Sequence, residues 1–392
     1  MAETVTRVYG LQFGLLCLSS FLFFASFNMI IPELPDYLTS LGGAEYKGLI
    51  ISLFTLTAGL SRPFSGKLAD KIGRIPVMVV GGLVCIIAGF IYPLTGSVAA
   101  FLLLRFLHGF STGFTPTGTA AYVADVIPLQ RRGEAMGLLG LSGSLGMAAG
   151  PALGGAIANQ FSMDTMFYAS SFAAFLSVAV LVRMHETLDN PHRFRMGLLS
   201  ISRKEIFEPR VVSPSVVMLF STFSFGTVLT IIPDFSEFLG IQNKGLFFTS
   251  FTLSSLAIRF LAGRASDKYG RINVLRVSNG LLTIAMVLIG FCVSATQLLL
   301  AGALFGVAVG MNSPTVFAWT IDLSHESHRG RAMATMYIAL EAGIGLGALC
   351  SGWLYSNEAD NFPIVFWVAA ACAAVSFLYL LLFVKNRKVQ LG

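Results

Sequence analysis

Two charged residues stand deep within long apolar stretches: Glu341, inside the run 332–355, and Arg105, inside the run 98–124. A charge within a bilayer is costly and marks a working group. Nine residues into its run, Glu341 would lie about 14 Å deep at 1.5 Å per residue, near the middle of a hydrocarbon core about 30 Å thick. A carboxyl there can exchange a proton as access changes, hold a cationic substrate, or stay hydrogen-bonded to a neighbouring helix. Proton handling is the expected role. Arg105, six residues from the end of its run and about 9 Å deep by the same rise, is either a second working charge or a side chain that snorkels to the surface. His108 is one turn from it and reads first as a packing residue.

A second set of charges comes in matched copies. Gly66-Lys-Leu-Ala-Asp70-Lys71-Ile-Gly73-Arg74-Ile returns as Gly263-Arg-Ala-Ser-Asp267-Lys268-Tyr-Gly270-Arg271-Ile, an offset of 197 residues from Asp70 to Asp267. The register holds without a gap from Arg62 (Arg259) through Gly109 (Gly306) and Asp125 (Asp322) to Met136 (Met333). An Asp where a chain leaves a helix can face the positive amino end of a neighbouring helix, and an Arg four positions on can reach a carboxylate. Arg62 and Arg259, one turn above these loops, are expected to snorkel to the nearby surface. Glu33, Asp36, Asp234 and Glu237 form repeated acidic pairs at the other end, expected to be exposed at a vestibule rim.

These groups need long apolar elements to position them. Of 392 residues 55% are hydrophobic and 12% charged, far from the roughly 25% charged usage of soluble domains. Twelve segments are long enough to span a membrane: near 11–32, 47–66, 76–95, 98–124, 134–157, 165–184, 213–233, 246–262, 273–293, 296–322, 332–355 and 363–385. Their length excludes an outer-membrane barrel, and the first reads as a retained span. The expected fold is an all-α membrane protein of two pseudo-symmetric six-helix bundles, 1–184 and 213–392, joined by a polar cytoplasmic linker at 185–212. A half-chain repeat in a membrane protein implies two bundles around a shared central site.

With both termini cytoplasmic, all of the 26 basic residues except Lys47, Lys244 and Arg105 lie at cytoplasmic loops or helix ends, as the positive-inside rule asks. The formal charge of +6 is thereby an orientation signal spread over short loops, and a nucleic-acid partner has no support. The five cysteines, Cys17, Cys85, Cys292, Cys350 and Cys372, sit in apolar runs without metal or redox spacing. No His-Glu-x-x-His, nucleophile elbow with a triad, or phosphate loop occurs, so neither an enzyme nor an ATP-driven pump is expected, and no cofactor or metal is called for.

The paired loops, the half-chain repeat and the twelve segments resemble the major facilitator superfamily, over nearly the whole chain. The resemblance implies a plasma-membrane transporter, acting as a monomer on a small-molecule substrate, with protons as partners and alternating access as the mechanism. It implies that Asp70 faces the start of the eleventh span near Ala332 and Arg74 pairs with Asp125, while Asp267 faces the fifth span and Arg271 pairs with Asp322, together a cytoplasmic gate. Gly137, Gly146, Gly150, Pro151, Gly154 and Gly155 in the fifth span resemble the element of drug/proton antiporters. Gly146, Gly150 and Gly154 recur every four residues and would let another helix approach closely; Pro151 can bend the rod. The setting of Arg105 resembles the family's fourth-span arginine motif, which implies help in proton transfer. The cavity of this fold is lined by spans one, four, seven and ten, which makes Phe24, Asn28, Phe110, Phe114, Phe223, Asn312 and Trp319 its candidates. Such an aromatic pocket suits proton-coupled export of hydrophobic or amphipathic compounds; the alternative is uptake or exchange of a sugar or organic acid.

Overall fold

The structure, a computed structural model, describes residues 10–128, 132–188, 190–199, 207–324 and 329–384. Part of the expected linker, residues 189 and 200–206, lies outside them. So do both chain ends.

Twelve helical rods account for nearly all of it. They are α1 (Leu11–Ile30, continued by short turns to Ser40), α2 (Lys47–Lys71), α3 (Arg74–Ile91), α4 (Val98–Val126), α5 (Arg132–Gln160), α6 (Met163–Leu181), α7 (Val212–Phe238), α8 (Gly245–Tyr269), α9 (Arg271–Gly290), α10 (Ala295–Leu323), α11 (Arg329–Tyr355) and α12 (Phe362–Leu382). Among the described residues ten rods are long and apolar enough to cross a membrane, and α8 joins them as a span bent by 45° between Arg259 and Leu261. The remaining rod, α2, carries Lys47, Arg62, Lys67, Asp70 and Lys71, yet occupies the position that α8 has in the second half.

Local sequence sets where each rod starts, breaks and stops. Ser97, Ser162 and Ser294 cap α4, α6 and α10 by accepting a hydrogen bond from the backbone N–H three residues on, which satisfies an otherwise orphaned donor. Gly73 and Gly270 turn the chain between α2 and α3 and between α8 and α9 with φ of +133° and +88°, values for which only glycine carries no Cβ penalty. The α2–α3 turn is held further by Glu186, whose two carboxylate oxygens accept from the backbone N–H groups of Arg74 and Ile75 at 3.0 and 2.9 Å. A carboxylate at a helix amino end also opposes the helix dipole favourably.

In the first half α1 packs on α5 and α6, and α3 and α4 pack on each other and on α6 and α2 respectively; in the second, α7 packs on α11 and α12, and α9 and α10 on each other and on α12 and α8. Small hydroxyls tie rods where no water can: Ser19 pairs with Ser177 and Ser26 with Ser170 between α1 and α6, and Ser224 donates to the Ala369 carbonyl between α7 and α12. Buried rings fill the spaces, with Tyr92 stacked on Phe167 at 5.0 Å and Phe235 tilted against Phe362 at 4.6 Å. Large apolar side chains such as Phe172, Phe291, Leu300 and Trp353 face outward, the surface a lipid solvent requires.

The halves meet along two seams, α2 with α11 and α5 with α8. At each the backbones come close enough to need glycine. A Cβ on Gly48 would lie 2.7 Å from the Ala348 carbonyl oxygen, and one on Gly245 would lie 2.2 Å from that of Pro151.

Candidate functional site

A chamber of about 450 Å³ lies between the halves, walled by residues of α1, α2, α4, α5, α7, α8, α10 and α11. One end of the molecule carries the turns at Gly73 and Gly270 and is here the basic end; the opposite end carries Glu33, Asp36, Asp234 and Glu237 and is the acidic end.

The acidic end is sealed by charge. Lys47 of α2 pairs with Asp234 of α7, and Lys244 pairs with Asp36 of the first half as well as with Glu237 at 2.7 Å. Asn357 donates to the Ala44 carbonyl and Asn159 to that of Gln242, each also from one half to the other. Burial works against a charge on Lys244, but Asp36 and Glu237 outweigh it and hold its pKa above the ordinary lysine value. Its charge therefore persists through the neutral range. The expectation of exposed rim carboxylates is thus corrected for three of the four: Glu33 and Asp234 are buried and Asp36 is part-buried against Lys244, while Glu237 is exposed as expected. Lys47 and Lys244 repeat at the same 197-residue offset, a signal by which the sequence reveals them as a matched pair.

The basic end carries ion pairs of another kind. Arg74 Nε lies 3.0 Å from Asp125 Oδ2 and Arg271 Nε lies 3.0 Å from Asp322 Oδ2. Each pair stays inside its own half. Asp70 is bonded to Arg74 and Asp267 to Arg271, and both carboxylates remain largely exposed. No ion pair to α11 or α5 is formed by Asp70 or Asp267 among the described residues; the side chains of 132–134 and 329–330, which begin those helices, lie outside them. A Cβ at Gly66 or Gly263, near the ends of α2 and α8, would meet nothing within 4 Å among the described residues.

Glu341 is buried in the chamber wall, and Arg62 approaches it from the other half: Nη2 is 2.6 Å and Nε 3.3 Å from Oε1. The guanidinium lies 4.3 Å from the centre of the Tyr337 ring. This corrects the expectation that Arg62 snorkels to the surface. A carboxylate one helix away, in a place of low dielectric, outbids water for it. Arg259 also turns inward, to Ser144 Oγ at 3.4 Å.

Arg105 is 1% exposed and held inside the first half. Its Nε donates to the Ile50 carbonyl at 3.0 Å, its Nη1 to the Tyr92 hydroxyl at 3.2 Å, and its plane lies 4.5 Å from the Phe54 ring centre. Snorkelling is excluded by that burial. His108 rests against Tyr92 Oη and Cys85 Sγ.

Of the aromatic and amide candidates, Phe24, Asn28 and Asn312 line the chamber. Phe110, Phe114, Phe223 and Trp319 do not. Phe110 and Phe114 contact each other, and Phe114 packs against Leu68 and Val77; Trp319 is buried with Val217 and Leu275; the Phe223 backbone abuts Gly347. The reason is helical phase: the chamber face of α4 is Thr112, Thr115, Pro116 and Thr119, and that of α7 and α10 presents Phe225 and Phe317. Phe27, Phe54 and Phe251 complete the aromatic wall. Asn28 spends its amide on the Phe24 carbonyl, and Asn312 bridges Ser221 and Ser278.

The glycines of α5 form its contact with α1. A Cβ on Gly146, Gly150 or Gly154 would lie 2.4, 2.5 or 2.0 Å from the carbonyl oxygen of Phe21, Ala25 or Met29. Pro151 and Gly155 face the loop before α8 through Gly245 and Asn243, and Gly137 stands in open space.

Comparison with known proteins extends along the whole chain. The sequence model described as Major Facilitator Superfamily matches residues 16–246 and again 215–391. The chain is 27% identical to the multi-drug resistance efflux pump PmrA of Streptococcus pneumoniae over 92% of each, and 24% identical to multidrug resistance protein 1 of Bacillus subtilis over 88% of this chain and 90% of that protein. A crystal structure of a D-xylose–proton symporter superposes with a TM-score of 0.80 at 17% identity, over 95% of this chain and 97% of that one.

Proposed function

The chain belongs to the Major Facilitator Superfamily, and from that premise we propose that this membrane transporter exports small hydrophobic or amphipathic compounds in exchange for protons. The similarity to a multi-drug resistance efflux pump and to a multidrug resistance protein, along most of the length of each, supports export. The chamber supports the cargo class, because aromatic faces hold varied apolar bodies through area and stacking. A sugar would need free amides. Those present are few, and one N–H of Asn28 already serves the Phe24 carbonyl while Asn312 bridges Ser221 and Ser278.

The observation that carries the coupling is the Arg62–Glu341 pair, which joins the two halves beside the chamber. Protonation of Glu341 removes the charge that holds Arg62 and so weakens the α2–α11 seam at that level. Loss of the proton restores it. In this reading residues 1–184 and 213–392 rock against each other, with the 185–212 connection, both termini and the basic end in the cytoplasm of a plasma-membrane monomer. The conformation described then faces inward. Cargo enters from the cytoplasm while Lys47–Asp234 and Lys244–Asp36 keep the outer end shut.

Closing the basic end would form the gate: Asp70 against the amino end of α11, Asp267 against that of α5, with Arg74–Asp125 and Arg271–Asp322 stiffening each half. Arg105 is a positioning residue in this scheme, since it braces α2 and the Tyr92 turn against α4. The test is proteoliposome transport of a hydrophobic dye under an imposed pH gradient. Accumulation against the dye gradient supports the proposal, and flux indifferent to the pH gradient overturns the proton coupling.

A further inference from the structure

The repeat that maps Arg62 onto Arg259 also maps Glu341 onto Ser144. The two seams are thus built to the same plan with one difference. On α2–α11 a guanidinium meets a carboxylate at 2.6 Å; on α8–α5 the matching guanidinium meets a hydroxyl at 3.4 Å. That contact is the sole hydrogen bond of the Arg259 side chain among the described residues, and its Nε is buried with no acceptor. Gly140, on the same face of α5, leaves room beside it: a Cβ there would stand 3.7 Å from Nη1.

The charges around the chamber are unequal. Arg62, Arg105, Arg259 and Glu341 are its charged lining residues, with no aspartate, lysine or histidine among those described. Glu341 balances one arginine. An arginine cannot relieve the imbalance by losing its proton, because the guanidinium stays charged at any working pH. A buried cation without a counter-charge is expensive, and the planar fork of donors matches the oxygens of a carboxylate, sulfonate or phosphate.

We propose that Arg259, with Ser144, is a recognition site for the anionic group of the cargo, so that the preferred substrates are amphipathic organic anions whose apolar bodies rest on the aromatic wall. The inference rests on the export reading for its transport consequence, though its binding consequence stands alone. An inorganic anion such as chloride offers the same charge without the apolar body.

A matched pair of probes isolates the group. The dye 8-anilinonaphthalene-1-sulfonate and N-phenyl-1-naphthylamine share one apolar body, and only the first carries a sulfonate. Equilibrium dialysis with the full-length protein in neutral detergent should give tighter binding of the sulfonate, on the order of tenfold or more, the worth of one charge-assisted hydrogen bond. Arg259→Gln and Ser144→Glu, the second of which installs the carboxylate that the other seam has, should each erase the difference. Arg259→Lys should keep part of it, and the neutral probe should bind all variants alike, which shows that they are folded. Equal binding of the two probes by the native protein, or a difference that survives both Arg259→Gln and Ser144→Glu, overturns the proposal. Displacement of the sulfonate by chloride at equal concentration would overturn the cargo assignment. Export is judged separately, by pH-driven transport of the neutral probe: its absence sinks the export reading and leaves the binding result intact.

Discussion

Lys47 on α2 reaches across the molecule to Asp234 on α7, and both side chains are nine-tenths buried by the contact. Losing one partner leaves the other charge stranded, which costs about 3 kcal/mol or more in buried pairs. Lys47→Met should therefore move the population toward opening at the acidic end by roughly a hundredfold. The reporter is Phe225→Cys in a background free of the five native cysteines, labelled with a membrane-impermeant maleimide from the outer side. Labelling as slow as without Lys47→Met would show that the pair does not hold the gate. The Lys244 contribution has the opposite pH sense from a carboxylate. With its pKa raised, that contribution is complete below the ordinary lysine value of about 10.4 and fades only as pH climbs through the raised one.

Glu341→Gln removes the charge from the inter-half pair while keeping the side chain's size. Proteoliposomes should lose acceleration by a pH gradient, and counterflow, which needs no net proton movement, should persist. If the pH gradient drives the variant as it drives the native protein, Glu341 has no part in coupling.

Asp70→Asn and Asp267→Asn should leave the conformation described as stable as before, since among the described residues neither carboxylate pairs between halves in it. Their effect belongs to the opposite state. Each variant should raise the inward-facing share and slow turnover, read by cysteine accessibility from both sides. Equal accessibility in native and variant proteins would remove these residues from the gate.

Gly150→Leu should disrupt the α1–α5 contact, because its first side-chain atom already falls 2.5 Å from the Ala25 carbonyl oxygen. Overpacking of this kind costs about 1–3 kcal/mol and often more against backbone. Gly137→Ala, in open space, should be neutral or slightly stabilising through helix propensity. Thermal unfolding in detergent separates the two, and an unshifted midpoint for Gly150→Leu would show that the close approach is absent in solution.

The architecture was legible because duplication writes the same charges twice. Asp70 and Asp267 locate equivalent turns, and through them even the charge-rich α2 is recognised as a rod equivalent to α8. The chamber was harder to read. In a soluble helix the polar face reveals orientation, but a rod between lipid and protein is apolar all round, so nothing in its composition turns Phe114 away and Thr115 inward. Ion pairs between halves were hidden for another reason. Arg62 and Glu341 lie far apart in the chain, and only the α2–α11 seam makes a surface arginine into a buried one.

The close-contact glycines and the chamber side chains are largely separate sets: Gly48 and Gly245 serve the seams and Gly150 and Gly154 the α1–α5 contact, while Phe54, Phe225, Phe251 and Phe317 line the chamber. An evolving lineage can thus broaden or narrow its repertoire one ring at a time without disturbing the moving joints. Phe24 is the exception, for it lines the chamber and also abuts Gly143 and Gly146 of α5. At that position a gain in selectivity is inseparable from a change in how the first half holds together.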